Sequence, residues 1–145
     1  MPELARIETV VFLQSVDLFS YCKAEEVLRI AAIAQERSFG DGENIYSVND
    51  PSDFLFCVVR GIVKADSANG GSQLFPPLST FGGIDILRGR LRTDTATSNG
   101  DSLLLAIDSD DFFDLLSNNI DIVKALFRHL IETLQQGQEL KGRPQ

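Results

Sequence analysis

The sequence predicts an α+β domain in which an antiparallel β-barrel or jelly roll, the double-stranded β-helix, is flanked by N-terminal and C-terminal helices. Apolar residues recur at helical spacing near both ends of the chain. Between them the period changes to two, and turn signals separate short apolar runs about every eight to twelve residues. We expect one domain over 1–135, with the barrel at about 37–107 and the C-terminal helices at about 109–135. A polar flexible tail over 136–145 completes the prediction.

The helices are predicted from their apolar spacing and their ends. Two short helices are expected at 3–15 and about 24–35, and Asp108 is expected to cap a third. The last helix begins near Ile120 and carries one apolar stripe. The stripe consists of Ile120, Val123, Phe127, Leu130, Ile131 and Leu134. We expect this stripe to cover the barrel of its own chain, with packing against a second copy as the alternative.

The barrel strands are predicted from alternation and turns. Alternating residues over 43–48 precede a buried strand at 54–65, which Gly61 interrupts. Asn69-Gly70-Gly71 is typical of a hairpin. Asn99-Gly100-Asp101 predicts a second hairpin, followed by a buried strand over 102–107.

Composition excludes several functions. A net charge of −8 argues against nucleic acid and against an anionic membrane surface. No apolar run approaches the ~20 residues of a spanning helix, and the N-terminus lacks a signal-peptide pattern. Cys22 and Cys57 lie in apolar surroundings, which predicts buried thiols and a reducing, cytoplasmic location. His129 is the only histidine, so we expect neither an enzyme nor a metal site and no cofactor.

A candidate binding motif lies at 81–98, with the sequence FGGIDILRGRLRTDTATS. A Gly-Gly pair before a helical turn leaves backbone N–H groups free to face an anion. Arg92 follows ten residues after Gly82, and a guanidinium can bind an anion with two parallel hydrogen bonds. Such a Gly-Gly pair more often forms a plain turn than an anion-binding site. The surrounding sequence therefore has to support the binding motif.

That context resembles the cyclic nucleotide-binding domain family, of the CRP and protein kinase A regulatory-subunit type, from about Ile7 to Leu134. The segments FGDGENIY at 39–46 and DSDDFFDLL at 108–116 are similar to the family's entry into the barrel and its C-terminal helices. Asn49 stands at a family glycine, and asparagine tolerates a left-handed conformation. Family members that bind DNA carry a helix-turn-helix after this last helix. This sequence does not include one, so we expect no nucleic-acid binding.

The resemblance implies a phosphate-binding cassette. Its ligand-binding residues would be Phe81, Gly82, Gly83, Ile84, Arg92 and Thr93. Arg92 falls on the family's phosphate-binding arginine, and Thr93 on a hydroxyl position that favours cyclic GMP in some members. The implied ligand is cyclic AMP or cyclic GMP.

The cassette departs from the family pattern at residues that matter for affinity. Gly83 replaces the glutamate that holds the ribose, and losing one charge-assisted hydrogen bond costs roughly 1.5–3 kcal/mol. Asp94 replaces an alanine and lies on the same strand face as Arg92, so it could modulate the pocket by pairing with that arginine. Asp85 adds a further negative charge near the cassette, which we expect to disfavour an anionic ligand.

Two hypotheses follow. In one, a non-catalytic regulatory module senses a cyclic nucleotide or related phosphate ligand weakly and signals through its C-terminal helix to another domain or a protein partner. In the other, the domain keeps the fold without the ligand and serves structure, protein interaction or homodimerisation.

Overall fold

A computed structural model describes residues 4–142, and side chains as far as residue 137. The helices are α1 (Arg6–Gln14), α2 (Ala24–Ile33), α3 (Gly83–Leu87), α4 (Ser109–Ser117) and α5 (Ile120–Gly142), with a 3₁₀ turn at Asp17–Phe19. The strands are β1 (Ala34–Phe39), β2 (Asn44–Tyr46), β3 (Phe54–Ser67), β4 (Ser72–Phe75), β5 (Thr80–Phe81) and β6 (Asp94–Asp108).

The strands form one six-stranded sheet in which every pairing is antiparallel. Its main path runs β1-β6-β3-β4, while β2 adds to β6 and β5 adds to β3. The predicted α+β class, with an antiparallel sheet between flanking helices, is confirmed. No helix in the described part of the chain is long and apolar enough to cross a membrane.

Strands β3 and β6 form the spine of the sheet and bend together. They pair from Phe54 opposite Asp108 to Ser67 opposite Asp94, with register shifts on both sides of Arg60. The predicted hairpin at 99–101 is therefore wrong, because β6 continues through these residues. Gly100 has a positive φ of 81° that bends the strand, and it lies opposite the bend of β3 at Gly61.

Two apolar clusters lie on opposite faces of the sheet spine. Alternating residues of β3 divide between them: Leu55 and Cys57 join the first, Phe56 and Val58 the second. The first cluster also collects the buried residues of the flanking helices. The second is largely aromatic, with the Phe81 ring stacked 5.1 Å from that of Phe56. The aromatic cluster forms one wall of the candidate site.

Helix ends differ from prediction at three helices, and α1 spans Arg6–Gln14 where 3–15 was expected. The chain leaves α2 for β1 at Ala34, earlier than the predicted end at 35, because residues 34–39 pair with β6. Helix α5 runs to Gly142, so residues 136–142 are helical where a tail was expected. Residues 143–145 of that predicted tail lie outside the described residues. The predicted cap is confirmed: the Asp108 carboxylate accepts from the N–H groups of Asp110 and Asp111.

Helix α5 does not use its apolar stripe to cover the barrel. Ile122 and Ala125 are buried, and Ile122 belongs to the first cluster. Phe127 and Leu134 on the predicted stripe are 59% and 66% exposed. The expectation that this stripe packs on its own barrel is wrong, because the body of the domain takes the opposite face of the helix.

The bend at Gly61 predicts a sharp difference between two glycine substitutions. A Cβ at Gly61 would lie 2.3 Å from the Asp101 carbonyl oxygen, and φ there is 87°. We expect Gly61→Ala to lower the free energy of unfolding by about 3 kcal/mol or more, from backbone strain and overlap together.

Gly100→Ala is the matched control, because its φ is also positive but no atom lies within 4 Å of the added carbon. It should cost only about 1 kcal/mol. Urea unfolding followed by circular dichroism measures both values, and equal losses would contradict the close approach at Gly61.

Candidate functional site

The turn before α3 is shaped around Arg92. Gly82 has a φ of 85° and begins the helix. A Cβ there would lie 3.0 Å from Nη1 of Arg92 and 3.1 Å from the carbonyl oxygen of Phe54. Glycine at this position therefore lets the guanidinium lie directly against the backbone.

The Arg92 guanidinium is buried, with 2% of the residue exposed. Nη1 donates to the Gly82 carbonyl and Nη2 to the Phe54 carbonyl, both at 2.6 Å. The group stacks on the Tyr46 ring at 4.1 Å from its centroid. Its Nε is also buried and has no hydrogen-bond partner among the described residues. One donor of this charged group is thus left without an acceptor.

The backbone around Arg92 is held by the turn after β2. The Arg92 N–H donates to the Asp50 carbonyl at 2.9 Å, and the Asn49 N–H donates to the Arg92 carbonyl at 2.8 Å. Asn49 has a φ of 75°, which confirms the predicted left-handed turn position. These bonds fix the place of Arg92 before β6 begins.

Asp85 on α3 supplies the carboxylate of the site. Its Oδ1 lies 2.8 Å from Nε of Arg90 and 3.5 Å from Oγ1 of Thr93, and its Oδ2 lies 3.7 Å from Nη1 of Arg92. Asp85 itself is 6% exposed. The carboxylate therefore faces two guanidinium groups and a hydroxyl in a nearly closed space.

Asp94, the residue expected to modulate the pocket, lies in a different environment. Burial, and then repulsion from Asp85, raise the pKa of its carboxyl, while a hydrogen bond with the Tyr46 hydroxyl and the charge of Arg92 lower it. The pKa of Tyr46 is also raised, chiefly by burial. Within the described residues, the carboxylate in ion-pair range of Arg92 belongs to Asp85.

The other predicted site residues differ in their exposure to solvent. Phe81 is 5% exposed and stacks in the aromatic cluster, whereas Ile84 is 68% exposed. A Cβ on Gly83 would lie 3.1 Å from Leu55 Cδ1. The structure thus brings Gly82, Arg92 and Thr93 together, and it adds Asp85. The sequence contained a signal for Asp85, an acidic residue on a short helix a few positions before Arg90 and Arg92. Its charge was predicted to disfavour an anionic ligand, but its contacts with the two arginines were not predicted.

Comparison with known families places this geometry in context. The sequence model described as "Cyclic nucleotide-binding domain" matches residues 36–119, which is more than half of the chain. The chain belongs to this family. The matched segment runs from β1 through the Asp85–Arg92 site to α4.

Solved structures share the fold at low sequence identity. A putative cyclic nucleotide-binding protein from Ruegeria pomeroyi matches with a TM-score of 0.80 at 18% identity, over 98% of this chain and 66% of that one. The regulatory domain of Toxoplasma gondii PKA, crystallised with cAMP, matches with a TM-score of 0.72 at 19% identity, over 82% of this chain. This chain covers 48% of that protein, about half its length. The sensor domain of the Pseudomonas aeruginosa transcriptional regulator DNR matches with a TM-score of 0.74 at 16% identity, over 97% and 96% of the two chains.

The Asp85–Arg92 ion pair predicts coupled effects on stability. Arg92→Gln removes the donors to two carbonyls and one partner of a buried carboxylate, so we expect a loss of about 3–5 kcal/mol in the free energy of unfolding. Asp85→Asn together with Arg92→Gln should cost less than the sum of the single changes, with a coupling of about 0.5–3 kcal/mol.

Arg88→Gln serves as the control, because Arg88 lies in the same segment and is exposed. It should change stability by less than about 0.5 kcal/mol. Urea unfolding of the four variants measures the cycle, and strict additivity would contradict the ion pair.

Proposed function

We propose that this chain is a non-catalytic regulatory module that binds a cyclic nucleotide or a related phosphate-bearing ligand weakly, and that signals through α5 to another domain or a partner. The observation that carries the proposal is the buried Arg92 guanidinium. By its resemblance to the family pattern it would bind phosphate, and its buried Nε has no hydrogen-bond partner among the described residues. A buried donor without an acceptor is costly, and a phosphate oxygen would supply the acceptor.

Weak binding follows from the contacts that Arg92 already makes. A phosphate can engage the guanidinium fork only if Nη1 and Nη2 leave the carbonyls of Gly82 and Phe54, or share them. Gly83 supplies no carboxylate for a ribose hydroxyl, which removes a bond of roughly 1.5–3 kcal/mol. The ligand therefore gains fewer interactions than the family pattern provides, and it displaces existing ones.

Packing in the first apolar cluster supports the proposed signalling from the site to α5. Ile86 of α3 packs against this cluster, and Ile122 of α5 is fully buried within it. Leu55, which follows the Phe54 carbonyl bonded by Arg92, belongs to the same cluster. A ligand that shifts α3 would thus change the packing at the base of α5.

Titration calorimetry with cyclic AMP and cyclic GMP tests the proposal. We expect weak binding by the unmodified chain and a loss of about tenfold or more in Arg92→Lys, because lysine keeps the charge and loses the bidentate fork. Hydrogen exchange over residues 120–134 should change at saturating nucleotide.

Arg88→Gln is the control and should bind as the unmodified chain does. Circular dichroism establishes that each variant is folded. Binding that is indifferent to Arg92→Lys would contradict the proposed site, and equal binding of inorganic phosphate would contradict recognition of the nucleotide.

The exposed stripe of α5 favours a second candidate function, self-association through this helix. Five of its members recur with alternating steps of three and four, the spacing of a coiled-coil seam. They are Ile120, Val123, Phe127, Leu130 and Leu134. Except for Val123, which is partly buried, these residues are 42–66% exposed. In this candidate the domain is a ligand-free dimerisation module.

Sedimentation velocity tests the second candidate. We expect concentration-dependent dimers for the unmodified chain, and monomers for Leu130→Glu, because a charge in the seam cannot be buried without a partner. Gln135→Glu adds the same charge at an exposed position outside the seam and should leave the dimer intact. A monomer at all concentrations would contradict self-association through this stripe.

A further inference from the structure

We propose that Asp85 is an internal counter-anion of the cassette: its carboxylate holds Arg90, Arg92 and Thr93 in the ligand-free domain and competes with an incoming phosphate for them. The inference rests on the proposed function and adds a regulatory contact to it. Asp85, rather than Asp94, then sets the affinity of the site.

The donors around Asp85 are of the kinds that bind phosphate. Two guanidinium groups and one hydroxyl converge on the two carboxylate oxygens, at distances of 2.8 to 3.7 Å. Arginine and threonine make the same interactions with phosphate oxygens as with carboxylate oxygens. The phosphate of a ligand would need these groups, but they already face the carboxylate of Asp85.

Charge balance leads to the same conclusion. Arg90 and Arg92 contribute two positive charges, and Asp85 and Asp94 contribute two negative charges, so the local set is neutral. A cyclic phosphodiester, which carries one negative charge, would meet a neutral site with a buried carboxylate at its centre. Without Asp85 the same set would carry one positive charge. Because Asp85 is 6% exposed, salt screens this effect only weakly.

Asp94 provides a built-in comparison. It has the same charge and lies two residues after Arg92, but it is partly exposed and its hydrogen bond is with Tyr46. If only the overall charge of the region mattered, removing either aspartate would have a similar effect. If the Asp85 carboxylate occupies the arginines directly, only its removal should free them.

The test is titration of cyclic AMP into the unmodified chain, Asp85→Ala, Asp85→Asn and Asp94→Ala, each first shown to be folded by its thermal transition. We expect both Asp85 variants to bind about tenfold more tightly or better, the scale on which one charge within 4–6 Å acts. Asp94→Ala should change affinity by less than about threefold, as expected for a partly solvated charge. A purely structural ion pair would give the opposite sign, because its loss would loosen the site and weaken binding.

The outcomes separate this inference from the proposed function. Tighter binding by both Asp85 variants supports the counter-anion, even if the unmodified chain binds nothing, in which case only the proposed sensing by the unmodified chain fails. Equal, Arg92-dependent binding by the unmodified chain and the Asp85 variants overturns the counter-anion and leaves the proposed function standing. Equal tightening in Asp94→Ala also overturns it, as does an absence of binding in every variant. Asp85→Asn keeps the inference testable if the alanine variant fails to fold.

Discussion

A buried guanidinium must find acceptors, and much of this domain is arranged around that requirement. The Arg92 guanidinium donates to one carbonyl at the start of β3 and to another in the turn before α3, and it lies in ion-pair range of a carboxylate on α3. These contacts join segments distant in sequence, since Phe54 and Arg92 are 38 residues apart. Removing a charge from water is expensive unless its hydrogen bonds are replaced, so each of these segments is held by the same group.

The sequence predicted the class of fold and the identity of the central arginine, because both depend on local signals. Helical and alternating periods mark which segments are helix and strand, and Arg92 follows a glycine pair at a recognisable spacing. It misassigned residues 99–101 because Asn-Gly in a short window indicates a hairpin, whereas the pairing of β6 with β3 on both sides of Gly61 shows that the strand continues here. Pairing between distant strands leaves no trace in a local window.

The contacts of Asp85 were missed for a related reason. Sequence spacing predicted that Asp94 shares a strand face with Arg92, but β6 begins only at Asp94, so Arg92 lies before the strand. Spacing also could not show that α3 turns Asp85 toward two arginines. Likewise the apolar stripe of α5 was predicted correctly as a stripe, while the surface that it faces was not. Periodicity defines the face of a helix, whereas the packing of Ile122 and Ala125 decides which face meets the body.

The attachment of α5 has a mechanical consequence. Among its described side chains, the buried ones lie within the first six positions and Leu126 also packs against the first cluster, whereas the helix continues to Gly142. At 1.5 Å per residue, the part beyond Leu126 is about 24 Å long, so a tilt of about 5° at its base displaces its far end by about 2 Å. A rearrangement too small to open the cassette widely would still be amplified at the end of this arm. Under the proposed signalling through α5, the length of helix beyond the anchored base would set how far its end moves when the site rearranges.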